Sequence, residues 1–274
     1  MDRTVIIAWG IAILIQIAFP IVLALWFARR YGVGWRPFLY GALIFFVFQI
    51  VLRLPIISLL GPVLAPAVQA SPTLQVVWTA ALAVTAGLFE TVGRWAGYRW
   101  LFPRYLTYEW KNGAAFGLGH GGFESAVFVG LLGLFSLLQS LALAGMSVEM
   151  LQEQFSGPML EQLLAAREQI MALAWYEPLW GAWERIATIP FHIAMSVIVL
   201  QVFTRGQARW FWIALGLHAF LDFTGPGMLT LLGWPIWVVE AYLTVWAIIS
   251  LWIIVRLKRS PGEGEGTMAG TSPA

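Results

Sequence analysis

The chain contains three histidines, and each is followed four residues later by a polar or acidic group: His120 by Glu124, His192 by Ser196 and His218 by Asp222. Glu90 stands in the same relation to Arg94. Residues four apart share one face of an α-helix, so each pair makes a polar stripe. A carboxylate balanced by an arginine and set beside imidazoles can take a proton from water and return it to a leaving group. The same imidazoles and carboxylate are also an acceptable ligand set for zinc.

These stripes sit in an unusually apolar chain. Of its 274 residues, 60% are hydrophobic and 11% charged, against about 25% charged in ordinary soluble domains. Apolar runs cover roughly 4–28, 37–60, 73–102, 113–145, 177–203, 210–232 and 234–256. At 1.5 Å per helical residue, runs of this size cross a hydrocarbon core of about 30 Å. None alternates with period two, so strands are not expected. The expected fold is all-α, a polytopic membrane helix bundle of about seven transmembrane helices forming a single domain over residues 1–259. Segment 146–176, with Glu149, Glu153, Glu161, Arg167 and Glu168, reads as a helical insertion outside the membrane. Residues 260–274, rich in Gly, Pro, Ser and Glu, read as a disordered cytoplasmic tail.

Composition also excludes some chemistry. With no cysteine, disulfides, thiolate metal sites and a cysteine nucleophile are ruled out. The basic residues lie between apolar runs and form no patch for nucleic acid, so the bilayer is the expected partner. The first run is longer than a signal-peptide core and is expected to be retained.

Basic residues in short connections mark the cytoplasmic side. Arg29, Arg30 and Arg36 lie in the first connection, Arg99, Arg104 and Lys111 in the third, and Arg205 and Arg209 in the fifth, while Arg256, Lys258 and Arg259 open the tail. The intervening connections are uncharged or acidic. This alternation predicts a multi-pass cell-membrane protein with its N-terminus outside and its C-terminus in the cytoplasm. Counted from those basic flanks, Glu90, His120, His192 and His218 all fall at a depth of about 13–20 Å. Ionisable groups at that depth cost about 2.5–3.5 kcal/mol each on insertion scales, and they usually face protein or water where they work. Gly113, Gly117 and Gly121 form a small-residue face suited to close helix contact, beside the Phe116, His120, Glu124 stripe. Gly119 and Gly122 are expected to weaken that helix.

Four segments then carry a family resemblance. Glu90-Thr-Val-Gly-Arg94 resembles the end of the EExxxR motif of the CAAX-protease and bacteriocin-processing superfamily of glutamic intramembrane peptidases. Phe116-Gly-Leu-Gly-His120 matches its FxxxH motif, His192-Ile-Ala-Met-Ser196 resembles its third motif, and His218-Ala-Phe-Leu-Asp222 fits its final HxxxN/D motif. The segment Gly117-Leu-Gly-His-Gly-Gly-Phe-Glu124 is most similar to the YhfC-type branch. Two positions depart from the pattern: Phe89 precedes Glu90, leaving one carboxylate in the first motif, and Ser196 replaces the usual Asn or Asp.

The resemblance implies an intramembrane endopeptidase that hydrolyses a membrane-associated or lipid-anchored peptide near the cytoplasmic side, using activated water and no cofactor. In that reading Glu90 is the general base balanced by Arg94, and His120 shares the water and protonates the leaving amine. His218, Asp222 and His192 stabilise the oxyanion. Glu124 orients His120 or supplies a second carboxylate, and Ser196 has a supporting place. In the metallopeptidase alternative, Glu90, His120, His192 and His218 hold zinc. Two other classes use the same groups differently: a transporter relaying protons or ions, and a cofactor-binding membrane protein holding haem through two histidines. Glu184 and Thr188 extend the His192 stripe toward the outer face. Arg53 and Glu240 are expected to snorkel or make helix contacts near span ends. Trp26, Trp35, Trp210 and Trp234 read as interfacial anchors.

Overall fold

The computed structural model describes residues 1–225, 227 and 231–258. In chain order its helices are α1 (Arg3–Tyr31), α2 (Arg36–Ala70), α3 (Pro72–Tyr105), α4 (Trp110–Gly145), α5 (Val148–Gln154), α6 (Gly157–Ala172), α7 (Glu177–Thr204), α8 (Arg209–Thr224) and α9 (Ile236–Arg256). Among the described residues there is no strand. Six helices, α1, α2, α3, α4, α7 and α9, are long and apolar enough to cross a membrane. The expected sixth span is represented by α8, which has 16 residues and a length of about 24 Å. It stops at Gly225, whose N–H is bonded to the Leu221 carbonyl, with Pro226 next in the sequence. The expected disordered tail lies outside the described residues.

Two sequence-based boundaries move. α2 was expected to end near residue 60, yet it continues through Pro62 and Pro66 to Ala70, because a membrane helix can re-satisfy the carbonyls that proline frees. Segment 146–176 holds two helices in place of one. Ser147 caps α5 by accepting the Met150 N–H. Gly157, in the left-handed region at φ +60, and Pro158 then stop the chain from continuing as one rod.

α7 is the axis of the bundle. From Ile189 to Gln201 every residue except Pro190 is buried, and α7 packs on α1, α3, α4, α8 and α9. The outer surface is apolar in turn: Leu59 and Val63 are each 75% exposed. Apolar surface on this scale is stable against lipid and not against water. The chain is therefore a multi-pass helical membrane protein.

Glycine determines how near the helices come. A Cβ on Gly119 would lie 2.0 Å from the Phe38 carbonyl oxygen, and one on Gly41 would lie 1.9 Å from that of Phe116. The backbones of α2 and α4 are thus in direct contact. Gly119, expected only to weaken its helix, is what allows that approach. On the other face of α4, Gly113, Gly117 and Gly121 meet Leu200, Ile193 and His192 of α7. Three wide π-helical stretches, Phe46–Arg53 in α2, Gly97–Leu101 in α3 and Glu124–Gly130 in α4, rotate the side chains that follow them. Two of the three hold residues that face the polar centre.

Because backbone oxygens cannot turn aside, Gly119→Ala and Gly41→Ala should each destabilise the protein by about 1–3 kcal/mol. Gly10→Ala, where nothing lies within 4 Å of the added carbon, should be neutral or slightly stabilising. Denaturant or thermal unfolding in detergent measures both.

Candidate functional site

Glu90, from α3, is buried and reaches five partners. Its Oε1 accepts from Gln49 Nε2 at 2.7 Å and lies 3.5 Å from His218 Nε2. Its Oε2 lies 3.0 Å from Arg94 Nη2, 3.0 Å from His120 Nε2 and 3.5 Å from His192 Nδ1. Side chains from α2, α3, α4, α7 and α8 therefore meet at one carboxylate. The His120 and His192 rings are 5.7 Å apart between centroids, and His192 and His218 are 6.0 Å apart.

Arginine can only donate, which fixes proton positions. Arg94 Nη2 is 3.1 Å from His192 Nδ1, so Nδ1 accepts and the ring proton sits on Nε2. That nitrogen stands 2.9 Å from Glu124 Oε2, although the contact lacks the alignment of a hydrogen bond. By the same reasoning His120 donates from Nε2 to the Glu90 carboxylate, and its buried Nδ1 has no partner among the described residues. Arg94 Nε donates to Ser196 Oγ at 3.1 Å, tying α3 to α7.

The four-residue stripes do not all pair internally. Glu90 and Arg94 do, and His218 Nε2 is 3.6 Å from Asp222 Oδ2. Ser196 serves Arg94 and not His192. Glu124 contacts His192 and Arg185, not His120, because α4 widens at Glu124 and turns that side chain toward α7.

Beyond Glu90 opens a chamber of about 600 Å³. It is lined by Gln49, Arg53, Glu90, Glu124, His192, His218 and Asp222, and continues past Thr188 to Glu184, Glu240 and the starts of α3 and α9. His120 lies behind Glu90 and does not line it. The chamber extends away from the basic connections, so the space next to the site leads toward the opposite end of the bundle.

Of the two expectations for Arg53 and Glu240, helix contact holds for Arg53 and snorkelling for neither. Arg53 donates to the Leu82 carbonyl at 2.8 Å and to Gln49 Oε1 at 3.3 Å, and Glu240 is 2% exposed. Both line the chamber. Two residues of the site escaped sequence reasoning. Gln49 carries no charge and no spacing that would flag it in an apolar run. Arg185 could have been found, since it is a charged group next to Glu184 within an apolar helix, and the cost of burying charge applies to it equally. It donates to Glu124 Oε1 at 2.8 Å and also to Glu184.

A polytopic helical bundle that gathers a buried glutamate and three histidines beside a chamber defines a multi-pass membrane protein with a polar centre. The comparisons give the lineage. The profile of the family described as YhfC intramembrane metalloprotease matches residues 15–243. The chain is 31% identical over 248 residues to the uncharacterized membrane protein YhfC of Bacillus subtilis (strain 168), covering 88% of this chain and 91% of that protein. The chain belongs to the YhfC family. No solved structure matches it.

Arg185 is buried and Glu124 half-buried, so removing Glu124 strands the arginine and removing Arg185 leaves the carboxylate without its cation. Arg185→Met should destabilise the protein by about 3–5 kcal/mol, whereas Arg185→Met with Glu124→Gln should regain most of that loss. Unfolding of the two single variants and the double variant forms the cycle.

Proposed function

We propose that this chain is a zinc-dependent intramembrane peptidase acting on a membrane-associated or lipid-anchored peptide. The observation that carries the reading is the donor set: ligand atoms of Glu90, His120 and His192 all lie within 4.8 Å of one another in a buried group. Donors around a tetrahedral zinc ion, at bonds of about 2.0–2.1 Å, stand about 3.3 Å apart. Glu90 Oε2 is 3.0 Å from His120 Nε2 and 3.5 Å from His192 Nδ1, on either side of that spacing. His192 adds a carboxylate, Glu124, near its other nitrogen, an arrangement that orients metal-binding imidazoles. The family description points the same way, and the order of preference read from sequence, glutamate first and metal second, is reversed.

Glu90, His120 and His192 would hold the ion, and His218 would stand beside it without completing the ligand set, since catalytic zinc keeps one position open. Zinc supplies Lewis acidity there, polarising a carbonyl and acidifying water toward neutral pH. The protein's own groups do the rest. With Glu90 engaged, proton transfer falls to Asp222, which at 31% side-chain exposure is the most open carboxylate beside the histidines and faces His218 across 3.6 Å. It takes the proton of water and returns it to the leaving amine. Arg94, anchored on Ser196, and Gln49 hold Glu90 in place, and the apolar chamber walls limit access of water.

A second reading keeps the glutamic-type chemistry of the CAAX-protease superfamily. It is favoured by Arg94 Nη2, which already occupies the lone pairs of Glu90 Oε2 and His192 Nδ1, and by His120 Nδ1, which faces no acceptor. Glu90 is then the base. In either case the basic connections support an N-terminus outside and a cytoplasmic C-terminus. The whole chain would be one transmembrane domain with α5 and α6 outside the bilayer, its site in the cytoplasmic half and its chamber extending outward.

Elemental analysis of the purified protein together with a membrane-peptide cleavage assay separates the readings. One zinc per chain is expected, falling to a small fraction in His120→Ala and Glu90→Gln. Cleavage should be lost on chelation, restored by zinc, and reduced by roughly 10²–10⁴ in Asp222→Asn. Full activity in metal-free protein, abolished by Glu90→Gln, would instead establish the glutamic mechanism.

A further inference from the structure

The chamber has a second polar end that the reaction does not use. Eight residues before His192 on α7 stands Glu184, and across from it on α9 stands Glu240. The Trp183 indole donates to Thr244 Oγ1 at 3.0 Å, fixing these two helix segments at one level. Glu240 is 2% exposed, lines the chamber, and its Oε2 has no hydrogen-bond partner among the described residues. Arg185 donates to Glu124 and Glu184, and among the described residues no ion pair reaches Glu240.

A buried carboxylate without a partner is costly, and a cation supplied by a ligand removes that cost. The surrounding wall is apolar, formed by Trp78, Leu82, Ile236, Val239 and Leu243. An apolar sleeve ending in a carboxylate suits a long side chain with a hydrocarbon stem and a cationic head. Glu184 and His192 are separated by about 12 Å along α7, the reach of three or four extended peptide residues at about 3.3 Å each. Thr188 lies midway, and its buried Oγ1 has no partner among the described residues, leaving it available to a peptide carbonyl or N–H.

We propose that the Glu184–Glu240 end of the chamber is a specificity subsite for a lysine or arginine of the substrate placed three or four residues from the cleaved bond. The proposal rests on the peptidase reading above. It is independent of whether the water is activated by zinc or by Glu90.

The test uses the full-length purified protein and a membrane peptide that it cleaves, remade as a series with one lysine moved from two to seven residues on either side of the cleaved bond. Norleucine at each position is the uncharged control. With lysine three or four residues away on one side, kcat/KM should exceed the norleucine control by at least about tenfold. Glu240→Gln should collapse that ratio toward one, and Glu184→Gln should lower it. A profile of the wild-type protein that is flat at every position overturns the subsite and leaves the peptidase reading standing. So does a lysine preference that survives in both variants. The position scan needs only wild-type protein, so it decides the matter even where a variant does not fold. If the wild type cleaves no peptide at all, the peptidase reading fails and the subsite falls with it.

Discussion

The Glu90 carboxylate is the point on which the polar centre of this bundle depends. Charge buried at bilayer depth is tolerated only when its lone pairs are occupied. Here two oxygens meet Gln49, Arg94, His120, His192 and His218, each within 3.5 Å. Those contacts draw together α2, α3, α4, α7 and α8. The helices can come that close because α2 and α4 touch backbone to backbone at Gly41 and Gly119, and because Gly117 and Gly121 bring α4 against α7. Small residues and the buried charge are thus two sides of one constraint. Without close approach the carboxylate would lack partners, and without the carboxylate close approach would serve no polar purpose.

Behind His192 runs a second line of charge, from Glu124 through Arg185 to Glu184. It gives the site a direction. On one side of Glu90, Arg94, Ser196 and the Tyr98 hydroxyl, which donates to the Ser196 carbonyl at 2.9 Å, form a closed, buried wall. On the other, the chamber begins with partly open carboxylates and ends at Glu240, whose Oε2 has no hydrogen-bond partner among the described residues. Among the described residues, the open space beside Glu90 lies on the second side. The same asymmetry sets Asp222 apart from Glu90: both line the chamber, but the Asp222 side chain is 31% exposed and that of Glu90 only 6%.

Arg94 bears most directly on the chemistry. Its Nη2 lies against the same two atoms that an ion would need, Glu90 Oε2 and His192 Nδ1. Guanidinium and metal are competing cations for one set of lone pairs, and Arg94 has Ser196 Oγ as a second anchor. The two mechanisms therefore differ in which cation holds Glu90, while the surrounding scaffold of helices stays the same.

How much of this was legible beforehand follows from the kind of information involved. The apolar runs determined a helical membrane bundle, since a run of twenty apolar residues has few other stable forms in any solvent. The four-residue spacing and the common depth of Glu90, His120, His192 and His218 followed from the 1.5 Å rise of a helix. What spacing could not supply was rotation and contact across helices. It paired His120 with Glu124 and His192 with Ser196, but a π-helical turn at Glu124 and the reach of Arg94 sent those side chains to other partners. Gln49 was invisible because an uncharged amide in an apolar run carries no cost that marks it. For Arg53 and Glu240 the sequence left snorkelling and helix contact both open, and only the packing of α2, α3, α7 and α9 around a chamber turned them inward. Sequence by itself set which segments are apolar helices, six of them long enough to cross a membrane, and which polar groups share a level, because both depend on distance along one helix. The tertiary structure alone decided which of those groups meet, because that depends on the azimuth of each helix and on how near glycine lets the backbones come.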